Sequence, residues 1–456
     1  MVALRWPIII GWVAPLVFAA GMLVIAGALS LLAGKLHFFR VFGPGLAVAA
    51  LVVTLVCLTL VPALMGAVGP WLFGSRVRRA QATDPDPVDP PSGARRFIAR
   101  LPTAKPVAAL VVVACVGLLV AAALGARTIS LSVSFIPSLP PGSEPRKMSE
   151  EAAKGFTPGI LAPTELLLES PGIGSRPDRL ARLQALYTRE PGVAAVLGPA
   201  QTGRDAPVGV VTSRDGGAAR LVLVLRDEPT TAAAIATIRR LERRTPQLLG
   251  QAGLPRGARA SYAGETALSA ETVDALLRDL RRVVLVTAIL TFVLLALFLR
   301  ALLAPVLLLA GSVLAFAGSF GLTALLLPEV LGTHDVVYYV PLVGAVMLVG
   351  LGSDYNVFIA GRIRDETHRR SFRDAVAAGT SSASRTITVA GVTLAATFAL
   401  LALVPLLPFR ELALLMSLGV LVDALLVRSV LIPALIVLSG RASWWPRAPA
   451  PRPVEP

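Results

Sequence analysis

The sequence predicts a polytopic α-helical membrane protein of about eight spans with one extracytoplasmic α/β domain. Its 456 residues are 55% hydrophobic and have a mean hydropathy of +0.72, which is too apolar for a soluble domain. Several apolar runs approach the length of about 20 residues that crosses a bilayer. One long polar stretch separates the third run from the fourth. The predicted spans are 8–33, 44–67, 106–125, 283–299, 302–327, 338–361, 386–406 and 411–439.

The polar stretch 126–281 predicts a mixed α/β domain. Strand-like runs occur at 164–169, 193–197, 220–225 and 258–262, and helical patterns at 176–189 and 230–249. The resulting order, β-α-β-β-α-β, is the split ferredoxin-like arrangement. The stretch shows no nucleophile–base pair, metal cluster or phosphate loop. We therefore expect no catalytic site in it.

Basic residues predict the orientation. They concentrate after the second, fourth and sixth spans and at both termini, whereas the short opposite loops hold only Lys35, Arg40 and Arg410. The positive-inside rule places both termini in the cytoplasm and the domain outside the cell (inner or plasma) membrane. The predicted units are two spans in 1–75, a cytoplasmic Pro/Arg-rich linker at 76–105, a span at 106–125, the domain at 126–281, five spans in 282–440 and a cytoplasmic tail at 441–456.

Composition also argues against several partners and cofactors. The net charge is +15, but only 4 of the 43 basic residues are Lys and no basic stripe alternates with aromatic residues, so nucleic acid is not an expected partner. Cys57 and Cys115 both fall inside predicted spans, which leaves no disulfide framework. His37, His334 and His368 lie far apart in sequence. We expect no metal site and no cofactor.

Asp354 is the strongest candidate site residue. It lies in the apolar run 340–363, where a central Asp costs roughly 2.5–3.5 kcal/mol on insertion. Such a residue suggests a proton or ion carrier, or half of a buried pair. Gly350 and Gly352 would let another helix approach closely, and Tyr355 places a hydroxyl beside the carboxylate. The alternative is a permanently protonated Asp354 that only hydrogen-bonds a neighbouring helix.

Other polar positions have simpler predictions. Ser353 and Asn356 either extend a hydrogen-bond path from the carboxylate or act as polar contacts between helices. His334 and Asp335 are predicted to lie in a solvated loop. The segment 371–374 predicts a capped interfacial helix on the cytoplasmic face.

An internal repeat links the two ends of the chain. Residues 41–69 resemble residues 411–440, and each copy follows another apolar span and a short Phe-Arg turn. Matching Val61–Leu64 with Ile432–Leu435 gives an offset of 371. Repeats of this kind often indicate a duplicated transporter.

Two charged residues occur in only one copy of the repeat. Asp423 and Arg428 lie on the last span, and the offset places them opposite Val52 and Cys57. Because they are five residues apart, an α-helix would put them on different faces. Either Arg428 extends toward the membrane surface while Asp423 bonds a neighbouring helix, or both residues join a proton relay.

These residues resemble the C-terminal half of MMPL-family transporters of the resistance–nodulation–division superfamily. The resemblance covers about residues 8–440, and the Gly-x-Asp-Tyr span is its most specific part. It rests on GLGSDYNVFIAGRIRDE at 350–366, the connector from Ser371 to Ser384, the span around Gly391 and VLVDALLVRSVLIPAL at 420–435. Complete members have twelve spans, two external porter domains and a Gly-x-Asp-Tyr span in each half. We expect this chain to lack the first four spans and the first porter domain.

The resemblance implies proton-driven export of lipids, glycolipids or other hydrophobic compounds. Asp354 and Tyr355 match the family's proton-relay pair. The implied partners are membrane lipids, a hydrophobic substrate, protons, and either further copies of the chain or a separately encoded N-terminal half. A non-transporting membrane scaffold is the alternative function, and a phosphate- or metal-dependent membrane enzyme is disfavoured by the missing site residues. Relay support or helix packing is assigned to Ser353, Asn356, Asp423, Arg428, Gly350 and Gly352.

Overall fold

The computed structural model describes residues 6–65, 67–68, 104–133, 139, 142–202, 211–367 and 370–446. Within these residues eight helices are long and apolar enough to span a membrane, so the predicted number and order of spans are confirmed. The predicted linker lies almost entirely outside the described residues, and so do residues 447–456 of the predicted tail.

The bounds of the longer elements are as follows. The helices are α1 (Trp6–Ser30), α2 (His37–Leu58), α3 (Lys105–Leu124), α4 (Glu144–Gly155), α5 (Pro177–Thr188), α6 (Ala232–Gln251), α7 (Glu265–Leu299), α8 (Leu303–Leu331), α9 (Val340–Glu366), α10 (Phe372–Ala399), α11 (Leu407–Leu421) and α12 (Ile432–Ser439). The strands are β1 (Ser130–Ser132), β2 (Thr164–Glu169), β3 (Val193–Leu197), β4 (Ala218–Leu225), β5 (Arg259–Ala263) and β6 (Asp335–Val337). A π-helical segment, Val422–Leu431, joins α11 to α12.

The domain is ferredoxin-like, as predicted. Its four antiparallel strands have the order β3-β4-β2-β5, and α5 and α6 pack against the sheet. Leu166 and Leu168 on β2, and Leu221 and Leu223 on β4, are fully buried in one core with both helices. The spacing of two residues puts each pair on the same face of the sheet. The side of the membrane on which this domain lies is called the domain side below.

Helix α7 connects the domain to the membrane bundle without a break. Its 35 residues begin directly after β5 and include the fourth span, so the helix passes straight through the predicted boundary at 281–282. A second connection is the parallel pairing of β1 with β6, in which Leu131 is opposite Val336. The residue after β1, Val133, donates a backbone hydrogen bond to the Thr230 carbonyl in the domain at 2.9 Å.

Helix α9 forms the centre of the bundle. It packs against α1, α7, α8, α10 and α11, and 67% of its most apolar window is buried, compared with 0% for α2. Small residues allow this packing. A Cβ built on Gly379 of α10 would lie 2.8 Å from the Ile363 Cα of α9, a distance that real Cβ atoms do not show.

Two local predictions need correction. Asp335 lies in strand β6 and is half-buried, so it is not in a solvated loop; its carboxylate accepts a hydrogen bond from the Ala232 N–H at 3.4 Å, while His334 is exposed. Ser371 caps a helix as predicted, since its Oγ accepts a hydrogen bond from the Asp374 N–H. That helix continues into the seventh span as α10 and is not a separate interfacial element.

Candidate functional site: a buried ion pair against the central helix

The candidate relay residues lie near the middle of α9. The backbone of residues 350–356 is regular α-helix. The side chains of Ser353 and Asp354 lie outside the described part of the structure, so the site is built from their neighbours. Asn356 is buried, and its Nδ2 donates to Ser312 Oγ of α8 at 3.1 Å.

The π-helical segment brings Asp423 and Arg428 together. In a π-helix each backbone hydrogen bond joins residues five positions apart, so positions i and i+5 lie close together on one face. Arg428 Nε donates to Asp423 Oδ2 at 2.6 Å, and Nη2 lies 2.5 Å from the same oxygen. The expectation that the two residues lie on different faces is therefore wrong, because it assumed an α-helix.

The repeat explains where the π segment comes from. Gly21 of α1 faces Thr54 of α2, and Gly391 of α10 faces Ala424. Both residues of the second pair are 370 positions after their counterparts. The Val61–Leu64 match has an offset of 371, so the last span contains one extra residue between Ala424 and Ile432. One extra residue at this place agrees with a π-helical segment set inside an otherwise α-helical span.

Arg428 connects the last span to α9. Its side chain is fully buried, which rules out extension toward the membrane surface. Nη2 also donates to the backbone carbonyl of Gly352, and the guanidinium carbon lies 5.0 Å from the ring centroid of Tyr355. This distance is within the range of a cation–π contact. Arg428 thus contacts residues on both sides of Asp354 in the sequence.

The two glycines have different roles. A Cβ on Gly352 would lie 3.0 Å from Arg428 Nη2 and 3.5 Å from Asp423 Oδ2, so the missing side chain provides space for the ion pair. A Cβ on Gly350 would meet nothing within 4 Å, although the Gly350 Cα itself lies 3.9 Å from a Cβ built on Gly27 of α1. The predicted close approach of a helix is therefore made by the last span at Gly352.

Two atoms of the ion pair lack hydrogen-bond partners. Asp423 Oδ1 and Arg428 Nη1 are buried and bond no other atom of the described residues. Asp423, Gly352 and Tyr355 line a cavity of about 10 Å³, roughly the space that one water occupies. The site therefore has room for about one water beside α9.

No pattern in the sequence indicated two further buried carboxylates. Asp279 of α7 accepts hydrogen bonds from the backbone N–H groups of Lys35 and Leu36, at 2.7 and 2.8 Å, and so holds the α1–α2 turn. Glu411 of α11 accepts one from Val337 N at 2.9 Å. Both residues are next to Arg in the sequence, a pattern typical of a solvated membrane flank.

Cysteine and histidine chemistry is not evident in the described residues. Cys115 is buried and Cys57 half-buried, and both are free thiols. No group of three or more His, Cys, Asp or Glu side chains in the described part of the chain is arranged to hold a metal ion.

Comparisons with known proteins place this geometry in a family. A profile of the MMPL family matches residues 10–109 and 181–455. This chain belongs to the MMPL family. The putative membrane protein ActII-3 of Streptomyces coelicolor is 32% identical over 449 residues, covering 96% of this chain and 57% of the relative. The apo-petrobactin exporter of Bacillus anthracis is 31% identical over 223 residues, covering 49% of this chain and 30% of the relative.

A solved structure agrees at the level of fold. A heavy metal efflux pump matches 93% of this MMPL chain with a TM-score of 0.51 and 14% identity, and the match covers 58% of the pump chain. The chain thus shares the fold of the matched part of this pump. The chain spans about half to three fifths of the length of the full-length relatives it matches.

Proposed function

We propose that this MMPL chain is part of an exporter of lipids, glycolipids or other hydrophobic compounds that is driven by the proton-motive force across the inner membrane. Named transport proteins and an exporter among its relatives support this proposal. The observation that carries it is the fully buried Arg428, which binds Asp423 and the carbonyl of Gly352, two residues before Asp354.

Because of the ion pair, the protonation of Asp354 would set the net charge of the site. Asp423 and Arg428 together are neutral, so an ionised Asp354 would leave the site with one net negative charge in the membrane interior, and a proton would remove that charge. One proton moved through 100 mV supplies about 2.3 kcal/mol, and each pH unit adds about 1.4 kcal/mol. Because Arg428 binds α9 on one side and Asp423 on the other, a change of charge would alter how α9 sits against the last span.

Replacement of Asp354 tests the proposal. In an assembly that transports, Asp354→Asn should abolish proton-coupled export and leave the protein level near wild type, because Asn keeps the volume but carries no proton. The exposed Asp178 of the domain gives the control, Asp178→Asn, which should export normally. Undiminished export by Asp354→Asn would show that the carboxylate has only a structural role.

The proposed orientation has both termini in the cytoplasm and the domain outside. Its support is the concentration of Lys and Arg in the linker and tail and in the loops on the side opposite the domain. Reporter tags at Ser92 and Pro456 should give a cytoplasmic signal, and a tag at Gly216 an external one. A cytoplasmic signal from Gly216 would contradict the orientation.

A cleft in the membrane bundle indicates where a partner would bind. The cleft has a volume of about 370 Å³, lies between α1, α2 and α9, and is lined by apolar side chains and by Gly27 and Gly350. In the second copy of the repeat, α10 and α11 pack against α9. Because α1 and α2 are the first-copy counterparts of α10 and α11, they should pack against a helix that is the counterpart of α9. We therefore assign the cleft to a helix of a separately encoded N-terminal half.

Cross-linking tests this assignment. In a variant without Cys57 and Cys115, a single cysteine at Val346, which lines the cleft, should form an adduct with another polypeptide in native membranes. An adduct between two copies of this chain would favour a homo-oligomer. A monomer in detergent that forms no adduct and still exports substrate would refute both.

A further inference from the structure

Glu411 is a buried carboxylate that the proposed relay does not use. It lies near the start of α11 and is fully buried. Its Oε2 accepts the hydrogen bond from Val337 N, but its Oε1 has no hydrogen-bond partner among the described residues. A buried polar atom without a partner is costly. A proton or a water is the smallest group that would satisfy this oxygen.

Glu411 is well separated from the ion pair. A Cβ on Gly344 of α9 would touch both Leu415 of α11 and Phe316 of α8, which fixes the relative heights of these three helices. Glu411 lies one turn from Leu415 toward the domain side, and Asp423 lies about 18 Å further along the last span. An apolar cluster fills the interval. The two carboxylates therefore belong to different sites.

A second unsatisfied polar atom lies at the same depth. Ser319 of α8 is fully buried, and its Oγ has no hydrogen-bond partner in the described part of the chain. It lies about 4.5 Å from Phe316 toward the domain side, whereas Glu411 lies about 6 Å from Leu415 in the same direction. This level of the bundle therefore contains two buried polar atoms without partners among the described residues, and a bound water could satisfy either of them.

Few titratable groups surround Glu411. Asp335 and Tyr339, at the start of the α9 region, interact with it electrostatically, and burial raises the pKa of both. On α8, the polar residue at this depth is Ser319, which does not titrate. The domain-side half of α10 and the turn after it contain no titratable residue. Arg410 and His334 are exposed, and no ion pair to Glu411 occurs within the described residues.

We propose that Glu411 is a second proton-binding site of this chain, on the domain side of the membrane, and that strand β6 responds to its ionisation. An ionised carboxylate makes a hydrogen bond about twice as strong as a neutral one, so protonation would loosen the contact with Val337. Strand β6 pairs with β1, and Asp335 accepts from Ala232 at the start of α6. A proton at Glu411 would therefore change how firmly the bundle holds the domain. This inference does not depend on export activity.

Infrared difference spectra at a series of pH values, recorded on the protein in lipid vesicles, test the proposal. Wild type should show a carboxylic-acid carbonyl band that disappears as the pH rises. Glu411→Gln should lose this band, because its amide oxygen still accepts the Val337 hydrogen bond but binds no proton. The matched control is Glu329→Gln, which replaces an exposed carboxylate at the domain-side end of α8 and should keep the band. Glu411→Asp should restore a titrating band at a shifted frequency.

Hydrogen exchange supplies a second readout. After correction for the intrinsic pH dependence of exchange, the Val337 amide of wild type should be less protected at pH values where the band is present, and this change in protection should vanish in Glu411→Gln. Identical titrating carbonyl bands in wild type and Glu411→Gln would overturn the proposal, because any band from Asp354 would be common to both. Asp354→Asn should keep the Glu411 band. If Asp354→Asn also exports normally, the proposed function fails while this inference stands.

Discussion

The two copies of the internal repeat, α1 with α2 and α10 with the last span, start in the same way but differ in burial and in their later residues. Leu36 precedes α2 and Leu406 precedes α11, 370 positions apart, and each pair contains the same glycine contact. Yet none of the most apolar window of α2 is buried, compared with 56% for the last span. Within the described residues, a π segment and an ion pair occur in the second copy alone.

The difference indicates that a buried ion pair needs a helix face that is covered by other helices, and only the last span has such a face at this position. With the one-residue insertion, Asp423 corresponds to Val53, which is 61% exposed on the outer face of α2, and not to Val52. A charge on that face would meet lipid, where it is very unfavourable. The last span packs against α9, so its charges meet each other, the Gly352 carbonyl and the Tyr355 ring.

The largest effect should come from breaking the ion pair. Arg428→Met leaves Asp423 buried without its partner, and removal of one member of a buried pair costs about 3–5 kcal/mol. The matched variant in the first copy, Cys57→Met, should change the unfolding free energy by less than about 0.5 kcal/mol. Unfolding in mixed micelles, followed by circular dichroism, measures both. Equal effects would show that the two copies are equivalent in stability.

The two glycines of α9 should respond in opposite directions. Gly352→Ala forces Arg428 to move and should destabilise the protein by about 1–3 kcal/mol. Gly350→Ala places its Cβ in open space and should be neutral or stabilising by up to about 1 kcal/mol, because Ala favours a helix more than Gly does. The same unfolding measurement applies. A larger loss for Gly350→Ala would contradict the roles assigned to the two positions.

The smallest effect should come from deleting the extra residue. Removal of Leu425, which is 43% exposed, turns the π segment back into an α-helix. Asp423 and Arg428 would then be four positions apart and would still share a face. We expect a loss of about 1 kcal/mol or less. Deletion of Leu418 within α11 should be far more damaging, since it rotates everything after it. Similar losses for both deletions would exclude a one-residue insertion as the origin of the π segment.

Patterns that extend over many residues predicted the spans and the domain. The length of an apolar run and the alternation along a strand do not depend on which other elements pack against them. The contacts that build the site did not follow from such patterns. The π segment is visible in the sequence only as one extra residue when the last span is aligned with the first copy of the repeat. Because we assumed an α-helix there, we predicted that Asp423 and Arg428 lie on different faces. Asp279 and Glu411 carry no local signal, because their partners are backbone N–H groups of segments that only the tertiary structure brings near.

Helix α7 makes the domain and the bundle one mechanical system. Its 35 residues form a rod about 52 Å long. Near its middle, Asp279 holds the turn before α2, and at its far end Arg364 of α9 donates to the Leu299 carbonyl. A rigid rod held at these points acts as a lever with its pivot at Asp279. A tilt of the domain by a few degrees would therefore displace Leu299 by about 2 Å in the opposite direction and pull directly on α9.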